Sequence, residues 1–275
     1  MFDADFRKAG ADFQIASVAC LSFDRKAMNV LSQQRIPRHV AFIMDGNGRW
    51  AESRGKARSE GHLAGTQAVI RTVENAFRAG VKFVTLYAFS SENWNRPAEE
   101  IQALMSLMLR FLADQQSLFI KNKIRLRTIG DLSPFPQEIR DAVEHVKSAT
   151  ENFEEHTVSV ALNYGARDEV LRAVRNYAAD VQSGKISGDS VPAWDEFSNY
   201  LWTAGIPDPD LIVRTSGEIR LSNFLLLQAA YAELYFTHVL WPDFDKDELN
   251  KALDFYASRE RRFGKTSAQL QKSQQ

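Results

Sequence analysis

The feature that most constrains this chain is its rhythm. Apolar runs of strand length alternate with segments whose apolar residues recur every three or four positions. Val40–Met44, Val81–Phe89, Ile124–Ile129, Val158–Leu162, Leu211–Arg214 and Glu233–His238 read as strands. Leu63–Ala79, closed by Gly80, reads as a helix, as do Pro136–Ala149, Arg167–Val181, the short Trp194–Trp202, Asn223–Ala230 and Asp245–Phe263. Ala98–Lys121 reads as a long helix with Ile101, Leu104, Met105, Met108, Phe111 and Leu112 on one stripe. This alternation predicts an α/β fold: one domain with a largely parallel central sheet flanked by helices. A length of 275 residues with 44% hydrophobic content suits one large core.

A net charge of −1, from 34 basic and 35 acidic residues, argues against a nucleic-acid binder, so any anion site must be local. One cysteine, Cys20, excludes an internal disulfide and fits a reducing compartment. No apolar run has the length of a membrane span. The apolar stretch Phe13–Phe23 contains Gln14 and Ser17 and follows Asp3, Asp5 and Asp12, a poor match to a signal peptide. Residues 1–35 are expected to form a variable extension, Gly184–Asp189 a loop, and residues 265–275 a polar tail.

In an open parallel sheet, ligands bind beyond the carboxyl ends of the strands. The first strand runs into Asp45-Gly46-Asn47-Gly48-Arg49-Trp50, where two glycines permit a tight turn with amides aimed outward, and a following helix start would favour an anion. A plain capped turn accounts for the same residues. A dinucleotide fingerprint fails, because the next strand ends too late for its acidic partner, and no Gly-Lys-Ser/Thr makes a phosphate loop. Local shape alone leaves turn and anion site open. Other strand tips add weight. Ser90-Ser91-Glu92-Asn93-Trp94-Asn95-Arg96 follows the second strand, and Arg214 to Asn223, with Arg220, Leu221 and Ser222, follows the Leu211 strand. Arg58 and His62 flank the start of the second helix. A lone arginine is ordinarily a solvated surface group. This cluster on one sheet edge favours an anionic substrate, with enough guanidinium forks for two anionic groups.

Here the sequence resembles the cis-prenyltransferase family, and in particular bacterial undecaprenyl diphosphate synthases. The resemblance rests on His39-Val-Ala-Phe-Ile-Met-Asp-Gly-Asn-Gly-Arg-Trp50, Arg54-Gly-Lys-Ala-Arg58, Gly61-His62 and Leu86-Tyr-Ala-Phe-Ser-Ser-Glu-Asn-Trp-Asn-Arg-Pro97. It continues through Asn163-Tyr-Gly165, Asp210-Leu-Ile-Val-Arg-Thr-Ser-Gly-Glu218, Glu233-Leu-Tyr-Phe236 and Arg259-Glu-Arg-Arg-Phe-Gly264, in family order across a catalytic domain of residues 36–264. It implies condensation of isopentenyl diphosphate with an allylic diphosphate, farnesyl diphosphate by expectation, towards undecaprenyl diphosphate, the carrier lipid for cell-wall glycan synthesis.

The resemblance also implies roles. Asp45 would engage Mg²⁺ and the diphosphate, and Glu233 would complete the metal site. Gly46, Asn47, Gly48 and Arg49, helped by Arg58 and His62, would cradle the allylic diphosphate, with Trp50 near its chain. Arg214, Arg220, Leu221 and Ser222 would hold isopentenyl diphosphate. Ser90, Ser91, Glu92, Asn93, Trp94 and Arg96 match a loop that closes over substrate. Asn93 is the position suggested for proton transfer, although an amide is a poor base, and water, Asp45 or the diphosphate are alternatives. The Ile101–Leu112 stripe would line an apolar tunnel or simply fill the core, and the small Ala88 would leave such a tunnel open for a long product. A homodimer is implied, with Arg262 and Gly264 reaching a partner's site. So is a cytoplasmic location with peripheral contact at the inner membrane face through the lipid product. Ile219, Leu227 and Glu60 depart from common family residues. Two rivals are a non-catalytic partner subunit, which would be expected to lose the Asp45–Trp50 loop, and a phosphohydrolase using Asp45, which would want a second acid two positions on, where Asn47 stands.

Overall fold

The computed structural model describes residues 35–189 and 191–259, and the expectations for residues 1–34, Arg262, Gly264 and the C-terminal tail lie outside them. In chain order the elements are β1 (His39–Ile43), α1 (Asn47–Glu52), α2 (Arg58–Arg78), β2 (Phe83–Ser90), α3 (Ala98–Lys121), β3 (Ile124–Ile129), α4 (Gln137–Thr150), β4 (His156–Tyr164), α5 (Ala166–Gln182), α6 (Trp194–Phe197), β5 (Leu211–Arg214), β6 (Glu233–Phe236) and α7 (Lys246–Ala257). The six strands form one sheet in the order β3-β4-β2-β1-β5-β6, and each neighbouring pair is parallel. All carboxyl tips therefore point to one edge. The chain leaves β1 towards β2, β3 and β4 on one side and returns to place β5 and β6 on the other. That reversal opens a crevice between the tips of β1 and β5, where open α/β sheets bind ligands.

Both faces are covered, which is why β1 is apolar and buried at every position. On one face Phe42, Val84, Leu126 and Val158 pack with residues of α2, α3, α4 and α7. On the other, Ala41, Ile129, Ala161 and Ile212 pack with Tyr164, Ala166, Phe224 and Leu225.

The parallel sheet flanked by helices is as the rhythm predicts, and α3, β3 and β5 have their expected limits. The main departure is Asn223–Ala230, which is not a helix. Ser222, Asn223 and Leu225 have positive φ, a conformation that a right-handed helix excludes, and only Gln228–Tyr231 makes a 3₁₀ turn. The segment instead caps α5: the Ala166 amide donates to the Asn223 carbonyl at 2.8 Å, and the Arg167 amide to Asn223 Oδ1 at 3.0 Å. Helix α2 starts earlier than expected, which puts Arg58 and His62 inside it.

His39 ties β1 to its surroundings from a fully buried position. Its Nδ1 lies 2.7 Å from the Pro207 carbonyl, so that nitrogen carries the proton, and Nε2 accepts from the Thr85 hydroxyl at 2.8 Å. Burial lowers its pKa to about 4. The unfolded chain takes this proton near pH 6.5 and the native one only near 4. The contribution is therefore complete above about 6.5 and is lost as pH falls from there, by up to about 3 kcal/mol. Urea unfolding at pH 7.5 and 4.5 should show a smaller loss of stability for His39→Gln than for the natural chain; equal losses would remove His39 as the titrating group.

Candidate active site

At the tip of β1 the Asp45 amide donates to Thr215 Oγ1 at 2.9 Å, and the Thr215 hydroxyl donates to the Asp45 carbonyl at 2.6 Å. The next residue turns with φ of +106°, and a Cβ there would lie 2.9 Å from both Leu240 Cδ2 and Ser216 Cβ, so only glycine fits. The Gly46 amide donates to Asp45 Oδ1 at 2.8 Å. Asp45 Oδ2 accepts from Arg214 Nη2 at 2.9 Å. Arg214, the last residue of β5, is 4% exposed. Its Nη1 donates to the Arg220 carbonyl at 2.6 Å and to Ser222 Oγ at 2.8 Å, and among the described residues its Nε–H has no hydrogen-bond partner. The tips of β1 and β5 are thus joined by one carboxylate–guanidinium pair.

Helix α1 is held where it is by α2. The Asn47 carbonyl lies 2.1 Å from where a Cβ on Gly61 would sit, and the Asn47 side chain occupies the space beside Gly65. The Arg58 guanidinium lies over Gly48, donates to Glu52 at 2.6 Å and faces Glu100 at 3.8 Å. Arg96 donates to the same Glu100 at 2.7 Å, and His62 Nε2 lies 3.6 Å from it. Burial, followed by the charge of Arg96, lowers the His62 pKa against the pull of Glu100. Arg49 donates to Ser216 Oγ and, at 3.1 Å, to Glu218, whose other oxygen accepts from Arg220.

The segment after β2 forms a 3₁₀ turn, Ser91–Asn95, in which Asn93 Oδ1 accepts from the Ser90 amide at 3.0 Å. Glu92 accepts from Asn223 at 2.9 Å, linking this turn to the β5 loop. Ser91 joins the same place, since a Cβ on Gly165 would lie 2.7 Å from its Oγ and 2.5 Å from Asn223 Nδ2.

Most of the expected residues therefore meet at one edge, but three do not stand as expected. Glu233 opens β6 opposite Leu211, at the far end of β5 from Arg214, so the chain's own Glu233 and Asp45 do not share a site. Motif order says nothing about height along a strand. Trp94 packs inward, its indole donating to Asn163 Oδ1 at 2.8 Å and its ring standing edge-on to Phe89 and Phe135. Trp50 donates to Asp243 at 2.7 Å and is flanked by Arg54 and Lys56. It does not line the apolar cavity described next. The carboxylates of Glu52, Glu100 and Glu218 belong to the site although no role for them was expected from sequence. The four-residue spacing of Arg96 and Glu100 at the start of a helix was the available signal.

An apolar cavity of about 160 Å³ lies between α2, α3 and the sheet, with Leu104, Met108, Phe111 and Phe119 on its wall and Asn47, His62, Thr66 and Thr128 as its polar lining. A register shift between Tyr87 and Phe89 marks a β-bulge in β2, and Ala88 within it lines the cavity. On α3, Met105 belongs to the core alone, while Leu112 and Phe119 belong to the core and also line the cavity beside the partly buried Leu104, Leu107, Met108 and Phe111.

Comparison with known proteins decides the family. The family model described as "Putative undecaprenyl diphosphate synthase" matches residues 43–264. The chain belongs to this family. It is thus a prenyltransferase of the cis type, and its six-stranded parallel sheet is that of solved family structures. It is 47% identical over 235 residues to an isoprenyl transferase of Clostridium perfringens, covering 86% of this chain and 92% of the relative. A ditrans,polycis-undecaprenyl-diphosphate synthase ((2E,6E)-farnesyl-diphosphate specific) of Pectobacterium atrosepticum is 49% identical over 231 residues, covering 84% and 91%. Lavandulyl diphosphate synthase from Lavandula x intermedia, solved in complex with dimethylallyl diphosphate, superposes with a TM-score of 0.81 at 36% identity, covering 84% of this chain and 99% of that one. A probable undecaprenyl diphosphate synthase from Campylobacter jejuni gives 0.69 at 33% identity, covering 84% and 100%.

The contact of α1 on α2 is testable. Gly61→Ala places a methyl against backbone, which cannot move aside as a side chain can. It should cost about 1–3 kcal/mol in urea unfolding and lower prenyl transfer by displacing the Asp45 loop. Unchanged stability and turnover would show that the loop does not depend on this contact.

Proposed function

We propose that this prenyltransferase extends farnesyl diphosphate with isopentenyl diphosphate into a long Z-polyprenyl diphosphate, undecaprenyl diphosphate by class, for use as a cell-wall glycan carrier. The observation that carries this reading is the Asp45–Arg214 junction between the tips of β1 and β5, set beside an apolar cavity. In this reading Gly46, Asn47, Gly48, Arg49, Arg58 and His62 receive the allylic diphosphate, with its hydrocarbon entering the cavity past Asn47 and His62. Arg214, Arg220, Leu221 and Ser222 receive isopentenyl diphosphate. The unused Nε–H of Arg214 is one donor such an anion would meet.

Magnesium suits this donor set: Asp45 is a partly exposed carboxylate at the anion site, and magnesium is commonly held by one or two carboxylates together with substrate phosphates. When bound, it would add positive charge against the diphosphate oxygens. The chain's own residues do the rest. As the allylic C–O bond breaks, electron density builds on the departing diphosphate, and the guanidinium groups of Arg49 and Arg58 stabilise it. The isopentenyl double bond attacks the allylic carbon as the C–O bond to the departing diphosphate breaks, and the proton then lost from the new cation passes to the released diphosphate or to water. The Asn93 amide is too weak a base for this, and its oxygen accepts from the Ser90 amide.

A homodimer is part of the proposal. Among the described residues strand β6 is a sheet edge, and Leu234 on it and Tyr231 just before it are exposed. A monomer by light scattering would count against it. Peripheral membrane contact is proposed through the product alone; among the described residues no helix is long and apolar enough to cross a membrane.

Incubation with farnesyl diphosphate, labelled isopentenyl diphosphate and Mg²⁺, with and without chelator, followed by chain-length analysis, tests the reading. A metal-dependent ladder of long products is expected, and no incorporation by folded protein would overturn it. Asp45→Asn keeps an acceptor for Arg214 while removing the charge. It should lower thermal stability, because the buried guanidinium loses its counter-charge, and reduce the turnover of the folded protein by about a hundredfold or more; near-natural turnover would remove Asp45 from the chemistry. Ala88→Leu fills the cavity from the bulge and should shorten the product; an unchanged distribution would show that the chain does not pass Ala88.

A further inference from the structure

The arginines at this edge all carry carboxylate partners from the chain itself. Asp45 holds Arg214, Glu52 and Glu100 hold Arg58, and Glu100 holds Arg96. Glu218 differs in its reach. Its two oxygens are shared between Arg49, on α1 just after β1, and Arg220, from the loop after β5. Those are the two segments assigned above to the two different diphosphates, so this carboxylate stands between the two half-sites.

We infer that Glu218 is a built-in anionic placeholder: it occupies Arg49 and Arg220 until a diphosphate displaces it, and so sets how strongly an anion must bind to enter. The inference rests on the reading that those arginines bind diphosphates.

The geometry suits displacement. The Glu218 side chain is 29% exposed, against 48% for Arg49 and 59% for Arg220, so both pairs are solvated and individually weak. Each loop also has a separate anchor. Arg49 reaches Ser216, and the Arg220 carbonyl is held by the buried Arg214, so releasing the carboxylate leaves the backbone of both loops in place. Glu218 follows Ser216 and Gly217, both at positive φ, and a Cβ on Gly217 would lie 2.7 Å from His238 Nδ1. This turn presents the carboxylate from a fixed base. A diphosphate carries more charge and more acceptor oxygens than one carboxylate and can take both forks at once. A weaker anion gains less than it must displace.

The direction of the effect of Glu218→Gln separates this role from a structural one. A residue that only shapes the loop would weaken anion binding when changed, whereas a competing carboxylate strengthens it. Inorganic pyrophosphate is the probe, its affinity measured by calorimetry on the full chain and by inhibition of prenyl transfer. Glu218→Gln should bind pyrophosphate about two- to tenfold more tightly at low salt, as expected for loss of two exposed pairs, with the gain shrinking as salt rises. Glu218→Ala should change affinity in the same direction, and thermal unfolding identifies whichever variant is folded. Unchanged or weaker binding in a folded variant overturns the placeholder. Arg49→Ala and Arg220→Ala make the two failures distinguishable. If they weaken pyrophosphate binding while Glu218→Gln does not strengthen it, the diphosphate reading stands and the placeholder falls. If neither arginine variant matters, the diphosphate reading of these arginines falls and takes the placeholder with it.

Discussion

Arg214 places a full positive charge on the last residue of a buried strand, and the carboxylate of Asp45 accepts from it across the gap between β5 and β1. A buried guanidinium without a partner is costly, so this pair fixes more than its two residues. It holds the loop after β1 beside the loop after β5, and the other donors of Arg214 fix the Arg220 carbonyl and the Ser222 hydroxyl. The sheet order makes the meeting possible, because β1 and β5 are neighbours at the point where the chain reverses direction across the sheet.

From that junction the remaining parts of the site follow as contacts between loops. Thr215 exchanges hydrogen bonds with the backbone of Asp45, Glu218 spans Arg49 and Arg220, and Asn223 reaches Glu92 while capping α5. Several loop residues sit at positive φ, a conformation that persists only where neighbours determine it. Here the neighbours are the Arg214 donors and the cap of α5. The apolar cavity is lined by Asn47 of α1 and His62 of α2 as well as by apolar residues, so it adjoins this polar edge.

The sheet and the flanking helices were legible because a strand buried on both faces must be apolar along its length, and a helix lying on it must be apolar at its own period. The arginines and Asp45 were legible because strand tips in a parallel sheet share one edge. Asn223–Ala230 was misread because its apolar spacing is helical, whereas its backbone is committed to capping another helix. Glu233 lies at the other end of β6 from the site's edge, a position that motif order did not show, because a motif shows which residues travel together but not which end of a strand they occupy. Trp94 carries an indole that finds a buried acceptor in Asn163, a tertiary match that no local pattern announces. The role of Glu218 depends on two arginines 169 and 2 residues away in sequence.

The most direct measurement is a crystal structure of the protein with an uncleavable allylic diphosphate analogue and isopentenyl diphosphate. The account predicts one diphosphate on the Gly46–Arg49 loop and the other on Arg214, Arg220 and Ser222. The allylic hydrocarbon should run past His62 between α2 and α3 towards Phe111 and Phe119. A hydrocarbon lying outside that cavity, or both diphosphates bound away from the tips of β1 and β5, would contradict it.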